Sequence, residues 1–369
     1  MLSGLLLEDA ILYNATKKVN NAPDKVFFSG MLAGFWVGIG GLAAVSAAGG
    51  IPESVRHDWL SLPKFLMGAF FAFALHFIAL FGGDLFTGNT MVLAVGWYNK
   101  VVPLRRILVN WLLVYLGNWA GCLLTAYFFG YLTDLFDYPQ YRSYLNEVVV
   151  AKLEHPNWGQ IFLRAIPANT MVCMAVVLGL SARDAAGKIL ALWFPVVMFV
   201  LCSFEHCVAN MFFTSLGLMY GAHSTIGRQW YNQSAAVLGN IIGGAIFIGL
   251  MEHLLNHWRS PIFRSHHPHS GTLVGHDVES TRRARDFIVG LASHNHSKPA
   301  VHVNAQEAPD SRDISQEVSD AEGQPEAREE RANAAQRDGA AAAKPKRGSP
   351  LWRIISRRAE DEKDAADNV

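Results

Sequence analysis

The sequence predicts an all-α membrane protein of six transmembrane helices, arranged as an inverted repeat of three plus three with helices 2 and 5 broken. Three observations predict this class. Apolar windows of about 20 residues recur six times in the first 258 residues. Two of these windows run past 30 residues, too long for one straight crossing of a hydrocarbon layer about 30 Å thick, and each contains a polar interruption. The two interruptions match one another in composition and spacing.

The chain divides into three regions. Residues 1–25 form a cytoplasmic N-terminal segment, and MLSGLLLEDAILYNATKK lacks the basic start, apolar length and small-residue cleavage site of a signal peptide. Residues 26–258 form the six-helix channel domain, with spans near 26–49, 65–98, 107–132, 161–182, 189–220 and 232–254. Close Gly and Ala spacing, as in GMLAGFWVGIGGLAA, reads as packed helices and not as barrel strands. Residues 259–369 hold 17 of the 31 Lys+Arg and 18 of the 31 Asp+Glu, which leaves 14 basic and 13 acidic side chains for everything before them. This tail buries too little apolar surface to offset its ordering entropy and is expected to be a largely disordered cytoplasmic segment. Its RSHHPHSG run reads as a solvated linker, and PLWRIISRRAE as a short helix or a contact with the cytoplasmic leaflet.

Charge sets orientation. Lys17, Lys18, Lys25, Lys100, Arg105, Arg106, Arg183, Lys188, Arg259 and Arg264 fall on one side of an even number of spans, against Arg56, Lys64, Arg142, Lys152 and Arg228 on the other. The excess places both termini in the cytoplasm of what is expected to be a plasma membrane. A formal net charge of zero argues against nucleic acid as a partner. Cys122, Cys173, Cys202 and Cys207 all lie in apolar runs and read as packing residues, so neither a disulfide framework nor a metal knuckle is expected.

The interruption of span two is DLFTGN at 84–89, and that of span five is EHCVAN at 205–210. Each opens on an acid and closes on an asparagine, Asp84 with Asn89 and Glu205 with Asn210. About thirty residues beyond each asparagine comes LGN again, carrying Asn118 in LGNWAG and Asn240 in LGNIIGG. Because each half has three spans, the second half enters the membrane from the opposite side. Non-helical backbone at membrane depth survives only where it is buried or lines a cavity, and the new half-helix N-termini favour anions. Capping of the breaks and helix bonding is the expected main role of Asp84, Asn89, Glu205, Asn210, Asn118 and Asn240. His206 differs, since an ionisable imidazole at this depth is a functional candidate by default. His76 has no evident partner.

These residues resemble the formate/nitrite transporter family, whose broken second and fifth helices carry patterns close to LFTGN and FEHxxAN. The likeness covers about residues 10–255 and extends to AKLEHPNWGQIFLRAIPANTMVCMAV at 151–176, with Lys152 and the in-span Asn169. The long charged tail is more like that of eukaryotic microbial members, including lactate-transporting forms. The resemblance implies an aquaporin-like protomer, a homopentamer in membrane lipid and a pore in each subunit. It also implies that Thr87 and His206 meet at the transport centre, with Phe71, Leu75 and Phe199 as an outer constriction and Leu85, Phe86 and Val172 as a cytoplasmic one. Lys152 is then expected to attract anions at the outer vestibule. The implied activity is proton-linked transport of small monovalent weak-acid anions such as formate, lactate, acetate or nitrite, with no cofactor, no metal and no enzymatic reaction.

Two other classes compete, and a third reading, a passive anion channel, differs only in whether protons accompany flux. An aquaporin-like neutral-solute channel carries two Asn-Pro-Ala elements, whereas TGN and VAN stand at the corresponding places, and the IPAN at 166–169 is reversed and single. An intramembrane protease with Asp84 and Glu205 as paired carboxylates is disfavoured because the two acids occupy equivalent positions of a repeat.

Overall fold

The computed structural model describes residues 2–258, so the reading of the charged tail lies outside the described residues. The described chain is helical: α1 (Leu5–Val19), α2 (Pro23–Gly49), α3 (Glu53–Asp58), α4 (Ser61–Phe71), α5 (Phe73–Phe81), α6 (Phe86–Tyr98), α7 (Leu104–Leu124), α8 (Pro139–Leu153), α9 (Trp158–Ser181), α10 (Ala185–Leu201), α11 (Cys207–Met219), α12 (Ile226–Ile242) and α13 (Met251–His257). α7 runs on through a π-helical stretch at Thr125–Tyr131, and another at Gly243–Leu250 joins α12 to α13.

Five helical stretches are long and apolar enough to cross a membrane: Pro23–Gly49, Ser61–Phe81, Leu104–Tyr131, Trp158–Ser181 and Ile226–His257. The fifth span expected from sequence is present as two shorter apolar helices, Ala185–Leu201 and Cys207–Met219. Many large apolar side chains point outward, among them Phe28, Leu80, Phe194, Leu238 and Leu255, as a surface that faces hydrocarbon requires. The chain is an integral membrane protein.

Small residues set the helix spacing. A Cβ added to Gly121 of α7 would lie 2.0 Å from the Met31 carbonyl oxygen of α2, and one added to Gly243 would lie 2.2 Å from that of Ile166 in α9. These glycines occupy corresponding places in the two halves, so α2 packs on α7 as α9 packs on α12, backbone against backbone.

Both predicted breaks are present. α5 ends where Gly82 turns left-handed at φ 75°, and the Gly83 N–H reaches back to the Ile78 carbonyl at 3.0 Å. α10 ends through Ser203 at φ 56°, and the Phe204 N–H bonds the Phe199 carbonyl at 3.0 Å. A serine held in that region costs about 1–3 kcal/mol, which the surrounding packing must offset.

Two elements depart from the sequence reading. Residues 1–25 are not merely a leading segment: α1 buries Leu7, Ile11, Leu12 and Ala15 in a cluster with Met91, Leu93 and Ile107. The region between spans three and four contains α8, whose Tyr144, Leu145, Val149 and Leu153 are buried. Of the four cysteines, Cys122, Cys173 and Cys207 are buried as expected of packing residues, but Cys202 is exposed because it caps α10 at the break.

Candidate functional site: a polar pair in an apolar chamber

Each break frees the first N–H groups of a half-helix, and each is met by an asparagine from the next span. The Phe86 N–H donates to Asn118 Oδ1 at 2.9 Å, and the Cys207 N–H donates to Asn240 Oδ1 at 2.9 Å. The amide nitrogens finish the joint: Asn118 Nδ2 donates to the Gly30 and Asp84 carbonyls at 2.8 and 3.0 Å, and Asn240 Nδ2 to those of Ala165 and Glu205 at 2.7 and 3.0 Å. Every acceptor in one half has its counterpart in the other. Farther along the half-helices, Asn89 Nδ2 donates to Asn110 Oδ1 at 3.0 Å and Asn210 Nδ2 to Asn232 Oδ1 at 2.9 Å.

The two acids do not cap the helices. Glu205 Oε2 accepts from Lys152 Nζ at 3.1 Å and from Asn210 Nδ2 at 2.7 Å, and Asp84 Oδ1 pairs with Lys18 of α1. Both carboxylates are buried, and each lysine arrives on a helix that lies outside the long spans. Lys18 is a site residue that sequence reasoning missed. Its signal was available, since it precedes span one in the first half much as Lys152 precedes span four in the second.

The shift that carries Asp84 to Glu205 also carries Leu85 to His206 and Thr87 to Val208, and there the two halves part company. His206 Nδ1 accepts the Ala209 N–H at 3.0 Å and so caps α11. In the neutral ring this leaves the proton on Nε2, which faces Thr87 Oγ1 at 2.9 Å. Both side chains are buried. The Thr87 carbonyl accepts from Asn169 Nδ2 at 3.2 Å, and the same nitrogen donates to Thr90 Oγ1 at 2.9 Å and to the Asn240 carbonyl at 2.5 Å. Asn169 therefore binds α9 to α6 and α12 behind the polar pair.

His206 forms part of the wall of a chamber whose other walls are apolar, including Phe71, Leu75, Leu85, Val172 and Phe199. The Phe199 ring stacks on the imidazole with centroids 5.5 Å apart. Residues expected in two constrictions thus line one chamber: Phe71 at the end of α4, Leu75 near the start of α5, Leu85 just before α6, Val172 on α9 and Phe199 on α10. Phe86 turns toward α7 instead, edge-on to Tyr115 at 5.3 Å and to Trp111 at 6.3 Å. His76 is outside the chamber wall, with Nε2 2.8 Å from the Ile189 carbonyl, so it has a partner after all. A second cavity is lined by Lys18, Arg105, Arg106 and Asn110.

The family model described as formate/nitrite transporter matches residues 7–254, from α1 to α13. The chain belongs to the formate/nitrite transporter family. Among relatives, it is 34% identical over 251 residues to the uncharacterized transporter YrhG of Bacillus subtilis, covering 68% of this chain and 92% of that one. It is 35% identical over 237 residues to formate-nitrite transporter 3 of Toxoplasma gondii, covering 63% of this chain but 47% of that longer protein. A solved structure titled as a pentameric formate channel with formate bound is similar at a TM-score of 0.54 and 28% identity, covering 63% of this chain and 97% of that one. This formate/nitrite transporter family member thus carries both half-helix joints, the polar pair and the two Lys–carboxylate pairs inside the matched span.

Proposed function

We propose that the protein carries small monovalent weak-acid anions across the membrane together with one proton each, through a pore in every protomer. The observation that carries this reading is the apolar chamber, whose wall holds one polar side chain, His206, hydrogen-bonded to Thr87. A bare carboxylate in such a chamber faces a large desolvation penalty, and the neutral acid a much smaller one. Yet an acid with a pKa near 4 is only about one part in a thousand neutral at pH 7. The anion must be gathered and then protonated before it enters.

In this reading lysines beside buried carboxylates do the gathering. Lys152 beside Glu205 serves the outer vestibule, and Lys18 beside Asp84, with Arg105 and Arg106 lining the second cavity, serves the cytoplasmic one. Each lysine is offset by a carboxylate, so it holds an anion briefly without trapping it. As the anion leaves water its own pKa rises, and it takes a proton before the chamber. Inside, His206 Nε2–H and the Thr87 hydroxyl offer the acid its polar contacts. Nδ1 is occupied by the helix cap, so any proton relay through the imidazole runs through Nε2 alone.

In this reading the chain makes six crossings, with α4, α5 and α6 forming the second and α10 and α11 the fifth. Both termini face the cytoplasm, the membrane is the plasma membrane, and five copies associate through their outward apolar faces. Phe71, Leu75 and Phe199 narrow the outer side of the chamber and Leu85 and Val172 the cytoplasmic side. Formate, nitrite, acetate and lactate all have the required charge and acidity. Counterflow of labelled formate, lactate and nitrite into proteoliposomes tests the substrate class. Uptake of at least one acid with no glycerol-driven swelling supports the reading. Swelling without acid uptake makes the protein a neutral-solute channel.

A further inference from the structure

At the end of the bundle that carries the N-terminus, Glu8 of α1 meets two histidines of α13 that lie far away in sequence. Glu8 is fully buried. Its Oε1 lies 3.2 Å from His253 Nδ1 and its Oε2 lies 3.0 Å from His257 Nε2. The imidazoles are one helical turn apart, with ring centroids at 4.6 Å. Asn99 Nδ2 donates to Glu8 Oε1 at 2.7 Å and to the Val95 carbonyl at 3.0 Å, and it lies 3.3 Å from His253 Nδ1, so it ties the carboxylate and one imidazole to α6.

The charge around this cluster is one-sided. Glu252, next to His253, is half-buried; one of its oxygens accepts from Asn256 at 2.7 Å, and the other is buried with no hydrogen-bond partner. Among the described residues neither Glu8 nor Glu252 forms an ion pair with a lysine or arginine. The buried Glu8 carboxylate therefore faces two imidazoles and an amide, with no lysine or arginine beside it among the described residues.

The spacing suits a metal ion. Zinc bound tetrahedrally at about 2.0–2.1 Å places its ligand atoms about 3.3 Å from one another. From the single oxygen Glu8 Oε1, His253 Nδ1 and His257 Nε2 each lie 3.2 Å away, close to that edge. Two imidazole nitrogens and one carboxylate oxygen favour a borderline transition metal over Ca²⁺ or Mg²⁺, which prefer six or more oxygens. Asn99 supplies the outer support that metal-bound carboxylates ordinarily have. His257 is exposed, so solvent can reach the fourth coordination position.

We propose that Glu8, His253 and His257 bind a divalent transition-metal ion of the zinc class and clasp α1 to α13. The clasp would fix the helix that also carries Lys18, the partner of Asp84. It does not depend on the transport reading, because the cluster stands apart from the chamber.

The test is a Co²⁺ titration of the full chain in detergent at neutral pH, read by the d–d absorption of tetrahedral cobalt, with competition by Zn²⁺. The tail carries seven histidines, His266, His267, His269, His276, His294, His296 and His302. All samples therefore carry alanine in place of all seven, so that cobalt bound by tail histidines does not enter the comparison. The otherwise unaltered protein is expected to show one tetrahedral site that Zn²⁺ displaces, with affinity reduced at least tenfold in His257→Gln and in Glu8→Gln. His253→Asn serves as a further variant if either of these is not recovered folded. Equal cobalt spectra and stoichiometry in all proteins would overturn the proposal. So would a melting temperature that responds to pH but not to Zn²⁺, which would make the cluster a proton-held clasp.

Discussion

Thr87 Oγ1 lies 2.9 Å from His206 Nε2, joining the N-terminal ends of two half-helices from opposite halves of the chain. The residues that occupy the equivalent places, Val208 and Leu85, are apolar. The repeat builds a symmetric frame, and the polar centre lies where its symmetry fails.

Replacing His206 separates two roles. His206→Phe removes both the cap on α11 and the Nε2 donor, whereas His206→Asn can keep the cap. Loss of a cap costs about 1 kcal/mol, too little to unfold the protein. Initial rates of labelled formate uptake are expected to fall at least tenfold in both variants. Uptake at the native rate in His206→Phe would remove the imidazole from the mechanism.

Thr87→Val leaves the buried Nε2–H without its acceptor, at about 1–3 kcal/mol. Thr87→Ser keeps the hydroxyl. The valine variant is expected to melt lower and transport more slowly, with serine near the native protein in both. Equal rates for serine and valine would show that the hydroxyl has no part in transport.

Lys152 and Glu205 are bonded at 3.1 Å, and the carboxylate is buried. Removing one member of such a pair typically costs about 3–5 kcal/mol, chiefly through the charge left behind. Lys152→Ala is therefore expected to lower the melting temperature and weaken anion capture at neutral pH and low salt. Adding Glu205→Gln should restore much of the stability but not the capture. Unchanged affinity at low salt in Lys152→Ala would refute the vestibule role, and Lys18→Ala tests the other face in the same way.

Gly121→Ala and Gly243→Ala place a methyl group 2.0 and 2.2 Å from backbone carbonyl oxygens. Helices must separate to admit it, and overpacking of this kind costs about 1–3 kcal/mol. Gly88→Ala, whose nearest neighbour would be 3.6 Å away, is the stability control. Thermal melts in detergent are expected to fall for the first two and to change little for the third.

The frame was legible because breaks in membrane helices need polar residues that hydrocarbon cannot excuse. DLFTGN, EHCVAN and the two LGN elements therefore stood out against Leu and Phe. Their division of labour was less visible: the asparagines of the following span receive the freed N–H groups, and the acids pair with lysines. α1 and α8 escaped notice because each is short and only partly apolar, and with α1 went Lys18. The contact between Glu8 and His257 joins residues near opposite ends of the described chain, and no local pattern announces it. Chamber shape depends on rotamers, which is why Phe86 turned to α7 while its neighbour Leu85 stayed on the wall.

The central claim is that the acid crosses only with its proton. It is tested most directly by following labelled formate into proteoliposomes while a pH gradient is imposed and then collapsed with a protonophore. The neutral fraction of an acid with pKa near 4 falls about tenfold per pH unit above that value, so an acidic exterior should drive accumulation and collapse of the gradient should release it. Accumulation that ignores the pH gradient and follows only the membrane voltage would contradict the account.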